Sequence, residues 1–242
     1  MQVTIRHSPA YAIARCQLAG GEVLKVQPDA RVAHSPGVVL SAGADGGVMK
    51  GLKRKVLGGE SFFITTYTAP AQGGWVDVAT YLLGDAFSLD LSDGHGLLIS
   101  RGGWVASSTD IEIDAKWGGV KNLMGGEGGF IVRATGTGTL VMGCFGALDV
   151  WELAAGETFV LDTNHMVAYD ESVDYKLRRA VEGRSIQSMK SGEGWVFEFT
   201  GPGRVYGQTR SPQSLTKWLE STLTLSSSSS TGAGALGSLL TR

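Results

Sequence analysis

Leu18-Ala19-Gly20-Gly21-Glu22-Val23-Leu24-Lys25-Val26 lies without a gap over Leu153-Ala154-Ala155-Gly156-Glu157-Thr158-Phe159-Val160-Leu161, and the match extends to Val32-Ala33 against Val167-Ala168. Leu83-Gly84-Asp85-Ala86-Phe87-Ser88-Leu89 reads as a third copy. A second motif alternates with the first: Gly59-Glu60-Ser61-Phe62, Gly126-Glu127-Gly128-Gly129-Phe130 and Gly192-Glu193-Gly194-Trp195. Recurrence at spacings of 63 to 72 residues implies three supersecondary units in a chain of 242 residues. The units are expected at about residues 1–75, 76–145 and 146–210.

Each unit reads as β structure. Trp75-Val76-Asp77-Val78-Ala79-Thr80-Tyr81-Leu82 alternates apolar and polar residues, and short β-branched or aromatic runs recur at Phe62–Thr68, Phe87–Leu91, Gly96–Ser100, Ile111–Ile113, Phe130–Arg133, Thr139–Met142 and Trp195–Phe199. Glycine is abundant, at 36 residues, and falls largely between these runs, where turns need positive φ. The expected fold class is all-β: three tandem sandwich-like repeats. Ser211-Pro212 then offers a cap and a first-turn proline, and Leu215, Trp218, Leu219 and Thr222 follow at helical spacing. That predicts a short C-terminal helix over 212–223, closing a domain of residues 1–225. The Ser/Gly-rich stretch 226–242 reads as a flexible tail.

Composition narrows the function classes. With 21 Lys+Arg against 23 Asp+Glu the net charge is −2, so there is no global pull toward nucleic acid or an anionic membrane. Cys16 and Cys144 stand alone among small or apolar neighbours and read as reduced core thiols, with no disulfide or zinc pattern. No apolar run is long enough to span a membrane, and the N-terminus lacks a signal-peptide pattern, so the expected location is cytoplasmic. Peripheral membrane association stays open.

The chemistry-bearing residues are sparse. His7, His34, His95 and His165 show no paired spacing, and no metal or cofactor is expected; Asp93-Gly94-His95 and Asn164-His165 read as turns. No nucleophile elbow occurs. Glu22, Glu60, Asp85, Glu127, Glu157 and Glu193 recur once per motif, which fits acids that accept backbone N–H bonds at turns better than a catalytic pair. Gly125–Gly129 and Thr135–Thr139 do not open helices and read as hairpins, not phosphate loops. One cluster stands out: Lys50, Lys53, Arg54 and Lys55 lie just before the Gly58-Gly59-Glu60 turn. It is either a solvated loop, with Arg54 paired to Glu60, or a contact for an anion or RNA.

Gly51-Leu52-Lys53-Arg54 running into Gly59-Glu60-Ser61-Phe62-Phe63-Ile64-Thr65, then Gly125-Gly126-Glu127-Gly128, and finally Val205-Tyr206-Gly207-Gln208-Thr209-Arg210-Ser211, resemble the altered-inheritance-of-mitochondria family over residues 10–220. The resemblance implies units like the tryptophan RNA-binding attenuation protein, a short variant of the double-stranded β-helix, three per chain. It supplies no catalytic residue. It adds Gln208 and Arg210 to Lys50, Lys53, Arg54, Lys55 and Glu60 as candidate ligand-binding positions. The tail is outside the shared pattern. The expected function is a non-enzymatic oligomeric scaffold or binding protein, assembled as a homo-oligomer of three chains. The alternative is a small-ligand, anion or RNA binder using grooves between units.

Overall fold

The computed structural model describes residues 1–42, 56–57, 60–61, 64–100, 102–116, 131–180 and 194–223. Strand β1 (Gln2–Arg6) precedes the first unit, which comprises β2 (Ile13–Leu18), β3 (Val23–Val26), β4 (Arg31–His34), β5 (Val39–Ala42), β8 (Thr65–Thr68) and β9 (Gly74–Val78). The short strands β6 (Val56–Leu57) and β7 (Glu60–Ser61) lie between β5 and β8. The second unit comprises β10 (Ala86–Leu91), β11 (Leu97–Ser100), β12 (Trp104–Ser108), β13 (Ile111–Lys116), β14 (Ile131–Gly136) and β15 (Gly138–Gly143). The third comprises β16 (Leu148–Leu153), β17 (Thr158–Asp162), β18 (Met166–Asp170), β19 (Asp174–Arg179), β20 (Trp195–Thr200) and β21 (Gly203–Gln208), with a 3-10 turn at Thr163–His165. Helix α1 (Pro212–Thr222) is where the capping signals put it, and it forms a compact unit apart from Met1–Ser211.

The repeat is a repeat of pairings. In every unit the sixth strand lies between the first and the third, as β9 does between β2 and β4, β15 between β10 and β12, and β21 between β16 and β18. In every unit the fifth strand lies between the second and the fourth, as β8 does between β3 and β5, β14 between β11 and β13, and β20 between β17 and β19. All these pairs are antiparallel. Even an irregularity recurs: the third strand carries a bulge against the sixth between Arg31 and Ala33, between Trp104 and Ala106, and between Met166 and Ala168. The bulged residue is valine each time, at Val32, Val105 and Val167.

The two three-stranded halves of a unit pack face to face as a sandwich, because apolar residues alternate along each strand. In the first unit Ala14, Cys16, Val76 and Val78 of one half meet Leu24, Val26 and Tyr67 of the other. The third core is aromatic: Phe197 and Phe199 are fully buried, and Tyr169 lies 5.2 Å from Phe199 between ring centroids.

Two sequence readings need correction. The Gly84-Asp85 copy is out of phase: Gly21-Glu22 and Gly156-Glu157 precede the second strand of their units, whereas Gly84-Asp85 precedes the first, β10. Gly21 and Gly156 turn with φ of +75° and +78°. Gly84 is glycine for another reason, since a Cβ there would collide with the Cys144 carbonyl oxygen in the next inter-unit connection. The Trp75–Leu82 strand stops at Val78, and β9 runs across the expected 75/76 boundary, so the first unit extends further than the spacing suggested. Most of the second motif, Gly59, Gly126-Glu127 and Gly192-Glu193, lies outside the described residues.

Replacing Phe197 by Ala is expected to lower the unfolding free energy by about 3–5 kcal/mol, from lost transfer energy and the cavity left behind. Urea denaturation followed by circular dichroism would show it as a lowered midpoint at unchanged slope.

Candidate functional site

Lys50, Lys53, Arg54 and Lys55 lie outside the described residues. Glu60 is in β7, opposite Leu57 of β6. Gln208 closes β21, and its amide is engaged at both ends: Oε1 accepts from the Phe145 N–H at 2.9 Å and Nε2 donates to the Asn164 carbonyl at 3.0 Å. Its own carbonyl lies 2.6 Å from His165 Nδ1. Arg210 is exposed and folds back onto the neighbouring Thr209 carbonyl at 2.9 Å. Gln208 therefore ties the connection between the second and third units to the 3-10 turn, and of the described candidates Glu60, Gln208 and Arg210 the last two are near neighbours in the chain.

A cleft of about 440 Å³ opens where those two units meet, lined by Asp90 of β10, by Ser92 and His95 from the β10–β11 turn and by Asp170, Glu171 and Arg204 from the third unit. Its ionisable groups face one another. Arg133 forks onto Glu171, with Nε to Oε1 at 2.9 Å and a terminal nitrogen to Oε2 at 2.6 Å, which clasps β14 of one unit to the β18–β19 turn of the next. Glu171 packs over Gly96, where a Cβ would collide with its carboxylate, and its backbone N–H donates to the Gly96 carbonyl at 2.8 Å. Arg204 Nε meets Asp170 Oδ2 at 3.2 Å, Asp90 accepts from Thr139, and His95 Nδ1 lies 3.0 Å from the Ser92 hydroxyl. Every charged group in the cleft has a structural partner. Among the described residues no cluster of His, Cys, Asp and Glu could hold a metal ion.

Among the described residues, the least exposed charged residue is elsewhere. Asp77, in the middle of β9, is 4% exposed and takes both nitrogens of the Arg15 fork at 2.8 and 2.9 Å and Arg6 at 2.7 Å. Arg15 in turn stacks over Trp75 at 3.9 Å. The Arg15 hydrogen bonds hold the Asp77 carboxyl below the usual carboxylate range, against the opposing effect of desolvation. Sequence reasoning put Asp77 on the polar face of its strand and missed the cluster, because its partners come from β1 and β2, more than sixty residues away. The same holds for Arg133 with Glu171.

Among the described residues, the acids of the first motif and both cysteines serve the fold. Glu22 accepts from the Ala19 N–H and Glu157 from the Ala154 N–H, each at 2.8 Å, so the acids of the first motif close their turns. Burial pushes the Cys16 thiol up to about 12 and Cys144 to about 11, which keeps both out of nucleophilic chemistry. Thr135–Thr139 is not the hairpin the sequence suggested: it joins β14 to β15, which lie in different sheets, so the chain crosses from one sheet to the other there.

Known proteins match this arrangement along nearly its whole length. The model of the family described as mitochondrial biogenesis AIM24 matches residues 3–210. An uncharacterised protein of Streptococcus pyogenes serotype M6 is 29% identical over 217 residues, covering 86% of each chain. A crystal structure of a Streptococcus pyogenes protein superposes with a TM-score of 0.74 at 25% identity, over 92% of this chain and 99% of that one.

Because its folded pKa is depressed, Asp77 contributes stability above its unfolded value of about 4 and loses it as pH falls toward the native value. Asp77→Asn is expected to lower stability at pH 7 by about 3 kcal/mol, leaving Arg15 and Arg6 without their counter-charge. It also removes part of the wild-type decline below about pH 4, which denaturant titrations across pH 2.5–7 would read.

Proposed function

Since the chain belongs to the mitochondrial biogenesis AIM24 family, we propose that it is a non-enzymatic scaffold that assembles as a homotrimer. Its units are of the short double-stranded β-helix type, and it works by presenting repeated β surfaces rather than by transforming a bound molecule. One observation carries this reading: the carboxylates and the arginine of the inter-unit cleft, and the buried Asp77, are each spent on a neighbour that holds two strands or two units together. A catalytic acid or base needs a perturbed, addressable proton, and a nucleophile needs an activating partner. Here the arginines are the partners. The lack of any described helix long and apolar enough to cross a membrane fits a scaffold that acts without a helical anchor.

Native mass spectrometry at micromolar concentration is expected to give a mass near three times 25.4 kDa with no stoichiometric metal or small molecule retained. A mass of one chain that does not change on concentration overturns the scaffold reading.

A second reading keeps an anion or RNA as ligand, resting on Lys50, Lys53, Arg54 and Lys55 as four cations within six residues of sequence. If that run binds single-stranded RNA through its phosphates, log K should fall against log salt with a slope of about −3, and replacing all four by Ala should abolish binding. Binding insensitive to both changes removes this reading.

A further inference from the structure

The strand pairings inside the chain contain a rule that its two ends leave unfulfilled. At each internal junction the second strand of one unit pairs with the third strand of the next: β3 with β12, and β11 with β18. The register is the same at both, Val26 opposite Ala106 and Ile99 opposite Ala168. Among the described residues, the third strand of the first unit, β4, and the second strand of the third, β17, end their sheets. Other edges are open too. The fourth strands β5, β13 and β19 are open in every unit, and the first strands β10 and β16 in both later units. The first strands β10 and β16 lack the cover that β1 gives β2, but among the described strands only β4 and β17 lack a partner that both of their counterparts have.

Side-chain burial tells the same story. Val105 and Val167, the bulged valines of β12 and β18, are 1% exposed and enter the core of the preceding unit. Their counterpart Val32 is 52% exposed. On the other edge, Leu24, Val26, Leu97 and Ile99 are fully buried, whereas Phe159 and Leu161 are only half-buried. Residues between them reach toward the following unit: Leu98 packs against the third core, and Lys25 Nζ donates to the Thr109 and Ile111 carbonyls of the second unit at 2.6 and 2.8 Å. Val160 holds that position in β17 and is 46% exposed.

The geometry points to a second copy of this chain as the occupant of both edges: β17 of one copy pairs antiparallel with β4 of the next. The internal register, carried over, sets Leu161 opposite Ala33, Val160 opposite His34 and Phe159 opposite Ser35. Val32 then enters the third-unit core of its neighbour beside Leu161, and Arg31 comes beside Asp162, a complementary pair of charges. The four-stranded sheet β1-β2-β9-β4 and the three-stranded sheet β17-β20-β19 become one sheet, in which the six strands other than β1 stand in the order found at both internal junctions. The contact is heterologous, so each copy offers one edge and receives the other, and assembly ends only when a ring closes. This inference rests on the scaffold reading and says how the copies meet.

The test is disulfide trapping in the full chain with Val160→Cys and His34→Cys, oxidised with copper phenanthroline; the native thiols are buried and silent. The double variant is expected to give covalent multiples of the chain, each single variant none, and an equal mixture of the two single variants a two-chain species only. Val32→Glu, at a position exposed in the single chain, is expected to reduce the mass to one chain while the β-sheet dichroism stays unchanged. A link in either single variant, which would mean like edges meet, overturns the inference. So does a multi-chain mass with no link in the double variant, or one that survives Val32→Glu; in these cases the scaffold reading stands. A one-chain mass for the wild type at every concentration overturns both.

Discussion

Everything else in this protein hangs on the pairing of one unit's second strand with the next unit's third. At both internal junctions the sheet is shared between two units. The first, sixth and third strands of a unit finish the sheet begun by the second, fifth and fourth strands of the unit before it, and each sandwich is closed by halves belonging to different sheets. Cutting between units would therefore expose two sheet edges and open two cores at once. Antiparallel pairing supplies the backbone bonds, and the sandwich supplies the apolar burial, so neither is available without the other. This is why the three repeats form one body from Met1 to Ser211 and not three beads.

The bulge makes the junction selective. An extra residue in the third strand re-aims one side chain out of the alternation and into the neighbouring unit. Valine suits the position because its β-branched shape has few rotamers to lose in a strand. Its burial stabilises by about 1.5–3 kcal/mol at each junction, more than a partly exposed ion pair such as the Arg133–Glu171 clasp adds at the second. Shape and charge thus fix the same register from opposite faces of the connection. A slip by one residue would expose the valine and separate the clasp together.

How much of this could be read from the sequence follows from what each signal measures. The matching blocks at Leu18 and Leu153 were legible because a Gly-acid turn needs a fixed backbone conformation and an acid three residues from its N–H partner, and both needs are local. Equally local was the Val32/Val167 correspondence, although its meaning as a bulge was not. Gly84-Asp85 misled because the same letters answer two physical demands: a turn at Gly21, a close backbone crossing at Gly84. The Asp77 cluster and the inter-unit clasp were invisible, since they join strands by long-range register rather than by spacing along the chain. Only the pairing order brings Arg15 beside Asp77 or Arg133 beside Glu171. For Gln208 the family resemblance suggested a ligand contact, whereas the bonds seen are within the fold, its amide bridging Phe145 and Asn164.

Tandem-repeat proteins that stop at their own ends ordinarily finish in units whose outer surfaces are polar, because an end repeat has no neighbour to bury its interface. Sheet edges meant to stay bare carry charge, proline or a covering element. This chain does cover one edge of its first unit, where β1 pairs along the whole length of β2. It does not treat the β4 and β17 edges that way. Their central outward residues are Val32 and Val160, the counterparts of side chains that the internal junctions bury or pack, and each sits at the end of a half-built sheet. An edge whose outward valine matches side chains that the internal junctions bury or pack is suited to pairing, and on the inference proposed above the sheet that completes it belongs to another copy of the same chain.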